Sequence, residues 1–185
     1  MARIVSTFRM PERFVPGAVG EPGDREFFLQ VKDGRRVVTL RFEKEQLEIL
    51  ASKLKQLVDG VSAPGAMTSH TDDYLDTEPL ETPIEPEYSV GAMGLAFNPE
   101  TAEYIVECHE MVADATDVPD IGSDAPEGPD TVRVVVNAEQ AGSFIGRAFA
   151  VLAAGLPTCP FCYQSLEPQG HLCPRANGYR RSGAD

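Results

Sequence analysis

Asp33-Gly34 lies between two runs rich in β-branched and aromatic residues, 26–31 (EFFLQV) and 36–42 (RVVTLRF). A short Asp-Gly connection between such runs predicts a β-hairpin, because glycine accepts the positive φ that a tight turn needs. The apolar period then changes. Leu47, Leu50, Leu54, Leu57 and Val58 share one helical face, while Lys53 and Lys55 lie off it. The spacing predicts a helix over about residues 43–59, stopped by Gly60. The unit is ββα.

A similar order returns later. Residues 88–97 read as a strand, Asn98-Pro99 as a turn, and 103–112 (EYIVECHEMV) as the hairpin partner. Residues 131–136 (TVRVVV) form a further strand. Asn137 is placed to cap the next helix, with Gln140 at the capping-box position. That helix carries Ala141, Phe144, Ile145, Ala148, Phe149 and Leu152 on one stripe and ends at Gly155. Residues 41–46 (RFEKEQ) and 135–140 (VVNAEQ) both pass from strand to helix through a Glu-Gln pair, which fits a ββα duplication. Capping chemistry common to such junctions is the other reading. The predicted fold class is α+β, one antiparallel sheet with two helices on one face.

Charge divides the chain. Residues 61–130 hold 17 Asp or Glu and no Lys or Arg, whereas 1–60 and 131–185 are each slightly basic. The acidity concentrates in two segments, 62–87 and 114–130, expected as loops, the former mobile in part. Such a stretch repels nucleic acid and anionic lipid and favours a basic partner; the plainer reading is a solvated loop that aids solubility. No apolar run approaches the ~20 residues a membrane-spanning helix needs. Residues 1–10 (MARIVSTFRM) lack the core of a secretion signal, so a cytoplasmic address is expected.

Three of the four cysteines crowd into fifteen positions. Cys159 and Cys162 form a CxxC pair, and His171 and Cys173 an HxC pair. Pro168, Gln169 and Gly170 turn the chain back between them. CxxC spacing lets two thiolates reach one metal across a tight turn, and four soft or borderline ligands suit tetrahedral zinc. Four protein ligands leave no position for water, so the expected zinc is structural. This divides the chain into an α+β domain at 1–157 and, at 158–185, a zinc-binding module expected as a zinc-ribbon-like knuckle, too small for a core of its own. A glutaredoxin-like redox pair is the competing reading of Cys159-Pro160-Phe161-Cys162. It needs a strand before and a helix after, whereas Pro157 precedes this pair and Pro168 and Gly170 would break a helix on its carboxyl-terminal side.

Arg175, Arg180 and Arg181 come after the knuckle, with Tyr179 among them, and could contact an anion or nucleic acid. Docking on the chain's own acidic loops is the alternative. Cys108 and His109 are neighbours in a predicted strand and point to opposite faces, which argues against one shared metal. Glu103, Glu107, Glu110 and Asp114 could line a cleft as acid/base groups, but the simpler expectation is solvated edge carboxylates. His70 falls in the first acidic segment as a solvated side chain, and Arg9 and Arg13 as surface arginines. No Ser-His-Asp ordering, P-loop or GxGxxG occurs.

The tail motif CPFCxxxLxPxGHxCPRxNGYRR, the strand VGAMGLAF and the approach PIEPEY together resemble the actinobacterial "domain of unknown function 3090" family across the whole chain. The family pattern has a glycine after the CxxC and a proline before the leucine, where this chain carries Tyr163 and Ser165; all four ligands are kept. The resemblance implies no activity. It does imply encoding beside phosphatase-like and kinase-like proteins, hence a phosphatase-like or kinase-like partner. The functional expectation is a zinc-stabilised, non-enzymatic adaptor or regulator acting through protein contacts. Two alternatives remain: an enzyme acting on a phosphorylated small molecule with the zinc structural, which an arginine-lined pocket at Arg9, Arg13 or Arg133 would favour, and an RNA-binding zinc ribbon.

Overall fold

The computed structural model describes residues 2–21, 24–61, 76–113, 118–154 and 173. Its elements run β1 (Val5–Arg9), β2 (Arg13–Val19), β3 (Glu26–Asp33), β4 (Arg36–Phe42), α1 (Lys44–Val61), β5 (Tyr88–Asn98), β6 (Glu103–Glu110), β7 (Thr131–Val136) and α2 (Ala138–Ala153). The β3–β4 hairpin forms, although its loop is Gly34-Arg35, one residue later than the Asp-Gly signal implies. Gly34 sits at φ +58° and Arg35 keeps a negative φ, the pattern of a II′ turn with glycine first. Helix α1 buries Leu47, Leu50, Ala51, Leu54 and Val58 and runs through Gly60 to Val61, so that glycine does not stop it. Asn137 accepts from Gln140 N at 2.8 Å, and the Gln140 side chain accepts from Asn137 N, completing the capping box on α2.

The sheet is mixed, not antiparallel. Its order is β1-β7-β6-β5-β4-β3-β2, with β1/β7 and β4/β5 parallel and every other pair antiparallel. Two features escape the hairpin reading. Strand β1 adds itself to β7, and α1 with the segment after it carries the chain back so that β5 starts alongside β4 in the same direction. Each half of the order is a three-strand meander followed by a helix, β2-β3-β4-α1 and β5-β6-β7-α2.

The sheet is strongly curled. In a flat sheet with strands about 4.8 Å apart, β1 and β2 would lie roughly 29 Å from each other. Yet three residues join them, and four Cα steps reach about 14 Å at most. The inside of the curl holds the core. Phe27, Leu29 and Val31, then Tyr104, Val106 and Cys108, then Val132, Val134 and Val136 alternate inward from β3, β6 and β7. They meet the buried stripes of both helices in a single cluster, and Phe14 stacks on Phe144 with ring centroids 4.5 Å apart. Arg36 of β4 confirms the curvature. Its guanidinium lies 4.4 Å from the Phe8 ring of β1 and donates to Ser6 Oγ at 2.6 Å.

The outer face is covered too, by the described parts of the two acidic segments. Leu80 packs with Val15 and Phe28 over β2 and β3, flanked by Ile84, and residues 118–130 lie over β5, β6 and β7. The molecule therefore has helices inside, sheet between, and acidic segments outside.

Candidate functional site

Both outer segments are mounted in the same manner. In each, an aliphatic side chain settles on a strand glycine, and the next residue donates its amide to a buried side chain of the central strand. A Cβ on Gly17 would fall 2.6 Å from Leu80 Cγ, and one on Gly94 would fall 2.8 Å from Ile121 Cγ1. Only glycine permits such close approach. Glu81 N donates to Gln30 Oε1 at 2.7 Å, and Gly122 N donates to Glu107 Oε1 at 2.9 Å. The cross-strand partners are Thr39 for Gln30 and Arg133 for Glu107.

The two mounts differ in charge. Beneath 76–87 the polar pair is neutral: Gln30 Nε2 donates to Thr39 Oγ1 at 3.1 Å and to Glu81 O at 3.1 Å. Flanking salt bridges hold the rest. Lys32 meets Glu81 at 2.7 Å, while Arg13 and Arg147 both grip Asp76, at 2.5 and 2.8 Å. The Arg13 guanidinium holds the Asp76 carboxyl below its ordinary range.

Beneath 118–130 lies an ionic cluster. Glu107 and His109 are 0% and 1% exposed, on the outer face of β6, with Thr131 and Arg133 buried beside them on β7 and Arg3 leading into β1. Arg133 donates to Glu107 Oε1 at 2.5 Å, Asp124 Oδ1 at 2.7 Å and Ser123 O at 2.7 Å. Arg3 donates to Thr131 Oγ1 from Nε and Nη2, at 3.2 and 2.9 Å, and to Pro129 O at 3.0 Å. The Thr131 hydroxyl thus accepts from Arg3, the Nε hydrogen being shared with Pro129 O, and its own hydrogen has two acceptors within reach. His109 Nδ1, 2.8 Å away, is nearer than Pro129 O at 3.1 Å. With the Thr131 hydrogen on that nearer acceptor, the imidazole proton stands on Nε2. Nε2 faces Glu107 Oε2 across 3.6 Å, beyond hydrogen-bond length, and these two atoms are the buried side-chain polar atoms without a partner among the described residues. Burial pushes the His109 pKa down, Glu107 opposes that, and Arg3 and Arg133 reinforce it. Opposite His109 the β5 ladder shifts register between Val90 and Met93.

The sequence expectations divide accordingly. Cys108 and His109 do point to opposite faces, with Cys108 wholly inside, its thiol pushed up to about 12 by burial and so no nucleophile or ligand at neutral pH. Glu107 is not a solvated edge carboxylate, because β6 lies inside the sheet with neighbours on both sides. Glu103 shares its face but pairs with Arg9 at 2.7 Å near solvent, and the partly buried Glu110 takes no part in the cluster. Arg9, Arg13 and Arg133 serve three separate ion pairs. Open clefts of about 340 and 460 Å³ flank Arg13, but its guanidinium is spent on Asp76, Glu78 O and Pro79 O, and Glu12, Glu78, Glu81 and Glu139 line the same clefts. That lining repels an anion. Cys173 is described and buried, whereas Cys159, Cys162, His171, Arg175, Arg180, Arg181, His70 and Asp114 lie outside the described residues. Arg3, His109, Thr131 and Arg147 were missed as site residues. The signal for the ionic cluster was Arg133 itself, one charge inside an otherwise apolar strand that requires a buried counter-ion.

The fold and this cluster define an α+β protein in which a curled mixed sheet holds two helices inside and acidic segments outside. The chain belongs to the family described as protein of unknown function (DUF3090), whose model matches residues 6–173. The match reaches Cys173, the last of the four expected zinc ligands, and stops short of Arg175, Arg180 and Arg181. No curated protein and no solved structure matches the chain.

Proposed function

We propose that this protein is a zinc-stabilised, non-enzymatic adaptor or regulator that works in the cytoplasm through protein contacts. One observation carries the reading: the buried arginines Arg3, Arg133 and Arg147, and Arg13 beside Asp76, are consumed by internal bonds, while carboxylates of the two outer segments face solvent. Glu78, Glu85, Glu87, Asp120 and Glu127 are exposed there and form no ion pair among the described residues. Held against a rigid sheet, they present a preformed acidic face to a basic partner, of which a phosphatase-like or kinase-like protein is the kind the family resemblance suggests. The enzyme reading loses support because the arginines it needs are occupied and the Arg13 clefts are acidic. No helix among the described residues is long and apolar enough to cross a membrane.

Zinc fits the chemistry of its donor set, three thiolates from Cys159, Cys162 and Cys173 and one imidazole from His171. Its role is to fold a zinc-ribbon-like module at 158–185 beside the α+β domain. The repeated meander-plus-helix order supports a duplicated origin for that domain. An RNA-binding ribbon remains the second reading of Arg175, Arg180 and Arg181.

Two measurements test this. Metal analysis of purified protein should find one zinc per chain, lost in Cys162→Ser; a metal-free protein equally stable under chelation would sink the zinc assignment. Affinity capture should yield a basic partner that salt releases and that a variant neutralised at Glu78, Glu85, Glu87, Asp120 and Glu127 no longer binds. Capture of no reproducible partner, or of one indifferent to those changes, would overturn the adaptor reading.

A further inference from the structure

We propose that His109 is an acid-sensitive latch: uptake of a proton by its imidazole releases the outer segment 118–130 from the sheet, while segment 76–87 stays bound. The geometry explains why a proton is disfavoured in the closed form. A protonated imidazole donates from both nitrogens. Nδ1 faces the Thr131 hydroxyl, which already accepts from Arg3, so a hydrogen on Nδ1 competes with the Arg3 guanidinium for that oxygen. Arg3 also bonds Pro129 O and Ser123 O, and its displacement frees the carboxyl-terminal part of the outer segment. The new charge would also sit between two guanidinium groups.

The surroundings of His109 support the assignment. Its own strand offers Glu107, whose Oε2 is 3.6 Å away, too far to bond without a shift. From β7 come Thr131 and Arg133, and from the chain before β1 comes Arg3. The outer segment contributes Asp124, engaged by Arg133, and Asp130, whose Oδ1 accepts from Ile4 N. Opposite His109, β5 presents only the uncharged Gly91 and Ala92 of its bulge. Of these carboxylates only Glu107 is buried with His109, and Arg133 engages its other oxygen, so a proton on the imidazole adds a buried charge beside Arg3 and Arg133.

Linkage sets the sign. Closed His109 binds its proton more weakly than open His109, so closure is fully favoured above the ordinary histidine range and is lost as pH falls through and below it. Segment 76–87 is an internal control, since the neutral Gln30–Thr39 pair and the Arg13-stabilised Asp76 carboxylate do not titrate there.

The test is amide hydrogen exchange on the full-length protein, read at Gly122 and Ser123 against Glu81 and Glu87, alongside imidazole NMR of the three histidines. Between about pH 7.5 and about pH 5.5, corrected for intrinsic rates, protection at Gly122 and Ser123 should fall up to about tenfold, with the His109 signal titrating in step. Over the same range Glu81 and Glu87 should change by less than about twofold. In His109→Gln, which keeps a donor toward Glu107 but takes no charge, the Gly122 response should vanish. Equal responses in both segments, an undiminished response in the variant, or His109 titration without any change at Gly122 would each overturn the latch. Should the variant not fold, the paired imidazole and amide titrations of the wild-type protein decide alone.

Discussion

Truncating Glu107 would leave Arg133 buried without its counter-ion. Glu107→Ala should therefore destabilise the protein by about 3–5 kcal/mol in urea denaturation, the usual cost of breaking a buried pair. Glu107→Gln keeps an acceptor for Arg133 and Gly122, and its cost should be nearer 1–3 kcal/mol, roughly that of one weakened buried hydrogen bond. A loss within error for Glu107→Ala would mean that the cluster is solvated in solution. The mounting glycines make a second residue-scale prediction. Gly17→Ala places a Cβ against three carbons of Leu80 and should cost about 1–3 kcal/mol by the same measurement. Alternation along β6 correctly puts Cys108 and His109 on opposite faces, because side-chain direction is a local property. Whether Glu107 meets water depends on what lies beside and above β6, which residues 103–110 do not encode.

The elements that could be read from sequence are those whose signal is contained in a few adjacent residues. The Gly34 hairpin, the α1 stripe and the Asn137–Gln140 box are of this kind. Asn137→Ala should lower stability by about 0.5–2 kcal/mol, seen as a lower urea midpoint with unchanged slope. Gln46 repeats the capping geometry on α1, its side chain accepting from Glu43 N at 2.9 Å, and its amide also reaches Val90 O at 2.8 Å. That bond ties the start of one helix to the other half of the sheet. Strands β1 and β2 were not legible. Residues 13–19 contain Pro16 and Gly17, which ordinarily interrupt a strand, and are tolerated because β2 is an edge strand with a single neighbour, β3. The acidic segments read as loops from composition, and their described parts, 76–87 and 118–130, hold no helix or strand; Leu80 and Ile121 stand among prolines and acids as the apolar residues that anchor them.

For the whole molecule, one core has one consequence. Helices α1 and α2 touch each other within a cluster fed by all seven strands, so the two meander-plus-helix halves should not unfold separately. Leu54→Ala in one half and Phe144→Ala in the other should each cost about 2–5 kcal/mol and shift the same single transition, whether monitored by circular dichroism or by tyrosine fluorescence. Two transitions would refute the shared core. Parallel pairing was invisible in the sequence because it depends on where the chain re-enters the sheet after long crossings. Strand β1 makes the longest of them, with Val5 beside Thr131 and Arg9 beside Val135. A nascent chain on the ribosome thus makes β1 more than a hundred residues before its neighbour exists. Until β7 emerges, those residues have no template to pair with, and the sheet cannot be completed before nearly the entire domain is synthesised.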